Sequence, residues 1–142
     1  MVATISSGNY GANGPIPPSD SPYAISVGAA TVTNSTADFS SYGSTYNGIA
    51  KPDVAARGVN VFCADAKAYK SIMQLSGTSL ACPLVAGVAA LILSAHPEYT
   101  PDQVREAMFT TAKDANKPTI QQGFGIVNAL AAVLADTQGL II

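Results

Sequence analysis

The chain has 142 residues, enough for one domain with a real core. Apolar residues make up 48% and charged residues only 11%, against a usual charged share of about a quarter, so the chain reads as a piece of a larger globule or as a secreted protein with a quiet surface. A net charge of −2 with scattered carboxylates excludes a nucleic-acid footprint and an acidic tail, and the longest uncharged apolar run, Leu80 to Ala95, is shorter than a bilayer span and contains Pro83 and Gly87.

Residues 1–5 have no basic segment followed by an apolar one, so they are no signal peptide; they read as the second half of a buried strand, which implies a truncated chain. Residues 6–15 are rich in turn formers, and Pro15, Pro17 and Pro18 extend that loop. A strand is predicted over 24–32, surface loops over 34–47, and short extended segments over 52–56 and 59–63. Residues 64–70 form a polar, hairpin-like excursion, and 71–75 lead back toward Ser79. Three helices follow. The first spans 79–94, with Pro83 placed in the first turn, where its missing N–H costs nothing. The second spans 101–112, with Thr100 as N-cap, Pro101 in the first helical position and Gln103 completing a capping box. The third spans 126–135, after a turn permitted by Gly123 and Gly125. Strands mixed with long apolar helices predict an α/β layer fold.

Small, flexible residues precede Ser79, and the first helix begins at or just after it. That arrangement exposes a hydroxyl on a tight turn beside a helix N-terminus, where free N–H groups and the dipole favour negative charge. A serine nucleophile needs such a place, because acyl transfer builds an oxyanion beside it. The stretch Gly77-Thr78-Ser79-Leu80-Ala81-Cys82-Pro83-Leu84-Val85-Ala86-Gly87 closely resembles the active-serine motif of the subtilisin-like serine proteases, Gly-Thr-Ser-Met-Ala-x-Pro-His-Val-Ala-Gly. Further stretches fit the same family. They are Tyr23 to Ala29, Ala37 to Gly43, Lys51 to Val59 (Lys-Pro-Asp-Val-x-Ala) and Gly123 to Ala129, which together carry the resemblance over roughly residues 2–134.

The resemblance implies the C-terminal half of a three-layer subtilisin-like α/β catalytic domain over 1–142, with a mostly parallel sheet and a long buried helix after the nucleophile. It implies that Ser79 is the catalytic nucleophile. Ser6-Ser7-Gly8-Asn9 resembles the family's Ala-Ala-Gly-Asn, which implies that Asn9 donates into the oxyanion hole; read alone, Asn9 is sooner a turn former before Gly11. Ser6, Ser7 and Gly8 would line the pocket for the substrate's first side chain, the 17–19 region would close it, and Thr78 is a further candidate contact. The implied partners are a peptide or protein substrate and the missing N-terminal half of the catalytic domain. No nucleic acid, membrane or metal is implied at this site, and no cofactor, although structural calcium belongs to complete domains of this kind. Secretion is favoured by the resemblance.

The family's triad histidine and aspartate precede its serine. The one histidine here, His96, follows Ser79 by about 17 residues, which along a helix means roughly 20 Å, too far to act as its base. Asp53 falls in the Lys-Pro-Asp motif, which is structural, and Asp20, Asp38 and Glu98 read as solvated carboxylates. Cys82 is expected to be a buried packing thiol rather than a nucleophile, and whether it pairs with Cys63 is left open by the sequence. Leu80 stands where the family has methionine, a swap of similar volume. Two other readings follow from the same residues. A chain without its base could be a non-catalytic interaction module of subtilase origin. An α/β-hydrolase would need Gly-x-Ser-x-Gly and a following base, and Ala81 and His96 do not supply them.

Overall fold

Every residue from Ile25 to Ala30 is buried, as a strand central to a parallel sheet and covered on both faces requires. The computed structural model describes residues 1–137 and sets this strand among others in chain order. They are β1 (Thr4–Ser6), β2 (Ile25–Ala30), β3 (Gly43–Ser44), β4 (Ala50–Lys51), β5 (Val54–Arg57), β6 (Val61–Ala64) and β7 (Ile72–Leu75), followed by α1 (Thr78–Ala95), α2 (Pro101–Thr111) and α3 (Ala129–Leu134). β1, β2 and β5 form a parallel sheet in the order β1-β2-β5, with Ser6 opposite Val27 and Val27 opposite Val54. A parallel bridge between Ala55 and Ile126 extends the sheet beyond β5. β3–β4 and β6–β7 are separate antiparallel pairs. The 34–47 stretch, expected as loops throughout, contains β3.

α1 packs across β1, β2 and β5, and α3 packs against both α1 and α2. Ile25, Val27 and Val54 from the sheet meet Ala81, Val85 and Ile92 of α1 and Val104 and Met108 of α2 in one core. Two expectations about α1 change. The helix begins at Thr78, so Pro83 lies inside it, past the first turn, and withholds an N–H from the Ser79 carbonyl. The helix is also buried along one face only. Thr78, Ala81, Val85, Val88, Ala89 and Ile92 are covered, whereas Pro83, Leu84, Gly87 and Leu91 are exposed. α2 carries the predicted capping box, Thr100 Oγ1 accepting from the Gln103 N–H. α3 starts three residues later than expected. Backbone bonds from Ala55 to Gly125 O and from Val127 to Ala55 O hold that stretch extended beside β5, and Asn128 then caps the helix by accepting from the Ala131 N–H.

Candidate active site

Parallel sheets present ligands at the carboxyl ends of their strands. The carboxyl end of β1 delivers Ser7, Gly8 and Asn9. The carboxyl end of β5 leads to Gly58, whose carbonyl accepts the Gly77 N–H at 2.8 Å and so pins the turn before α1. The Ser79 turn and the Asn9 loop therefore meet at one end of the sheet.

Asn9 is oriented by Thr78. Its Oδ1 accepts the Thr78 N–H at 2.9 Å and the Thr78 hydroxyl at 2.9 Å. A backbone N–H donates only to the amide oxygen, so Nδ2 is turned to the other side as a free-facing donor. The Thr78 hydroxyl in turn accepts the Gly8 N–H at 3.3 Å. Gly77 has no side chain, and a Cβ there would sit 3.1 Å from Ser79 Oγ and 3.5 Å from Asn9 Nδ2. Hydroxyl and amide thus converge on a space kept open by a glycine. Ser79 is exposed, and its N–H belongs to the first turn of α1, which has no intrahelical acceptor.

Thr78, expected as a substrate contact, is 1% exposed, and its hydroxyl bonds Asn9 and Gly8. Ser6 is half-buried, and Ser7 and Gly8 are buried. Ser7 Oγ has no hydrogen-bond partner among the described residues, while the Ser7 carbonyl accepts the Ile16 N–H at 3.1 Å and the Ser19 hydroxyl at 3.4 Å. Ser41 is a support that sequence reasoning missed. Its hydroxyl accepts the Tyr10 N–H and its own N–H donates to Gly8 O, each at 2.9 Å. Only a long-range contact singles it out, and the Ser-Ser pair in its loop carried no such signal.

The remaining titratable candidates lie in structural roles. His96 sits at the far end of α1, with Nε2 2.8 Å from Val133 O and its ring stacked on Tyr99 at 4.4 Å. Asp53 accepts the buried Lys51 ammonium at 2.6 Å and the Ser26 N–H at 2.7 Å. Cys63 and Cys82 are free thiols; Cys82 rests 3.6 Å from Thr4 Oγ1 against the core, and Cys63 is 3.6 Å from Met73 O.

Three comparisons bear on this arrangement. Residues 1–127 match the model of the subtilase family. Serine protease AprX of Bacillus subtilis (strain 168) is 36% identical over 151 residues, covering 91% of this chain and 34% of its own length. The halolysin-like extracellular serine protease Nep of Natrialba magadii is 43% identical over 84 residues, covering 59% of this chain and 15% of Nep. The prenylagaramide maturation protease PagA superposes with a TM-score of 0.78 at 31% identity, covering 94% of this chain and 50% of PagA. The chain thus spans about a third of the length of AprX. A serine at the mouth of a glycine-lined turn, an asparagine clipped beside it and a parallel sheet behind both fit that match over nearly the whole chain, which belongs to the subtilase family.

Proposed function

We propose that this chain supplies the nucleophile half of a subtilisin-like serine endopeptidase domain. The observation that carries the reading is the convergence of Ser79 Oγ and Asn9 Nδ2 on the space beside Gly77. Ser79 Oγ attacks the scissile carbonyl of an extended peptide. Asn9 Nδ2 and the Ser79 N–H receive the oxyanion, preorganised by Thr78. A histidine takes the serine proton and an aspartate orients that histidine; both belong to the N-terminal half of the domain, since His96 and Asp53 are committed elsewhere. The reaction needs no cofactor, because side chains and backbone amides supply every proton and donor. The N-terminal half would cover the exposed face of α1 around Leu84 and Leu91 and pair with the outer edge of β1. That Nep is an extracellular protease supports secretion as the setting of this site.

The test is labelling with a fluorophosphonate, which reacts with activated serines, alongside peptide hydrolysis. The complete domain is expected to be labelled at Ser79 and to lose both labelling and hydrolysis on Ser79→Ala. The 142-residue chain alone is expected to show neither. Turnover by the complete domain that survives Ser79→Ala would sink the assignment. An unlabelled, inactive complete domain would put the non-catalytic reading in its place.

A further inference from the structure

We propose that Ile16 sets the substrate class of this site, restricting the residue on the acyl side of the scissile bond to glycine, alanine or serine. The inference rests on the Ser79–Asn9 reading above. With the carbonyl oxygen held by Asn9 and its carbon at Ser79, the side chain of that residue branches within about 2.5 Å of the reacting carbon. The wall proposed beside it is the backbone leading into Asn9, and the adjacent residue is Gly8. Its φ of +111° is a conformation that residues with a side chain rarely adopt, so the wall at this point is bare. A bare wall leaves room for a large substrate group.

In this chain the room is taken. Ile16 Cγ1 lies 3.1 Å from where a Gly8 Cβ would stand, and Ser41 Oγ lies 2.9 Å from the same point. Ile16 is also held. Its N–H donates to Ser7 O at 3.1 Å, its carbonyl accepts the Ser19 N–H at 2.9 Å and the Ser19 hydroxyl at 2.8 Å, and prolines flank it at positions 15 and 17. Its branch at Cβ leaves little freedom at χ1. Yet 40% of Ile16 is exposed, so this apolar group is not spent on the core; it presents a branched surface beside Gly8, the residue before Asn9. A methyl or hydroxymethyl group packs against that surface. A benzyl or isobutyl group meets it before its carbonyl reaches Ser79.

The experiment compares kcat/KM for a matched series of peptide esters with alanine, leucine or phenylalanine before the cleaved bond. It uses the complete domain and its Ile16→Ala and Ile16→Gly variants, with active serine counted by fluorophosphonate titration. Alanine is expected to be preferred over phenylalanine by at least about tenfold. Ile16→Ala should narrow that ratio, and Ile16→Gly should reverse it. Because each ratio is taken within one protein, a variant that folds in lower yield still reports. A parent that prefers phenylalanine, or a ratio unmoved by Ile16→Gly, overturns the proposal while leaving Ser79 as nucleophile. Absence of both labelling and turnover in all three proteins overturns the proposal together with the reading beneath it.

Discussion

Thr78 is buried and orients the Asn9 amide. Both of its polar groups point at Asn9 Oδ1, and its hydroxyl also receives Gly8. Thr78→Val keeps the volume and removes the hydroxyl bonds, leaving the Gly8 N–H and one lone pair of Asn9 without partners. A loss of about 1–2 kcal/mol is expected, roughly tenfold in kcat with KM little changed, and Thr78→Ser should restore it. Equal damage in Thr78→Ser would mean that packing, and not the hydroxyl, matters. Asn9→Ala should lower kcat by about 10²- to 10³-fold with KM nearly constant, a magnitude carried over from a member of this same family. Loss expressed mainly in KM would argue against an oxyanion role. Ser7→Ala should raise stability by about 1 kcal/mol in urea unfolding, because the buried Ser7 Oγ has no partner to lose. A lowered midpoint would reveal a bound water there. The motifs around Ser79 and Asn9 were legible in the sequence because they are long or correctly spaced. The role of Thr78 was not, because a small polar residue in a turn looks the same whether it caps, contacts or clips. Its partner lies 69 positions away.

Among the elements, the segment from Lys51, at the end of β4, to Asp53 ties the entry of β5 to β2. Lys51 is 1% exposed; its ammonium donates to Asp53 Oδ2 at 2.6 Å and to Ala24 O at 3.1 Å, and Asp53 accepts the Ser26 N–H. Lys51→Met would leave a nearly buried carboxylate without its cation and should cost about 3–5 kcal/mol, read as a fall in the urea midpoint. A change under 1 kcal/mol would mean that Asp53 turns to solvent. The Lys-Pro-Asp motif therefore marks scaffold, as its resemblance implied. Helices α1 and α2 were legible from apolar runs, caps and Pro101. The start of α3 and the β3–β4 pair were not. α3 loses its first turn to long-range backbone pairing with β5, which no local pattern encodes. β3 and β4 are two residues each, too short for an alternation to show.

At the scale of the molecule, the exposed side of α1 is the feature that asks for a neighbour. The helix has 18 residues without a charge, yet Leu84 and Leu91 remain 45% and 54% exposed. On the function proposed above, Leu91→Lys should reduce self-association of the isolated chain, measured by light scattering, and should also block recovery of activity when an N-terminal half is added. Recovery unaffected by the lysine would show that the partner docks elsewhere. The clip between Asn9 and Thr78 has a consequence in time. Its two ends are 69 residues apart, and bringing them together costs loop-closure entropy that later packing must offset. A nascent or half-folded chain holds a serine and an amide that have never met. The meeting of Ser79 and Asn9 beside Gly77 therefore comes late, as a property of the finished fold and of no segment by itself.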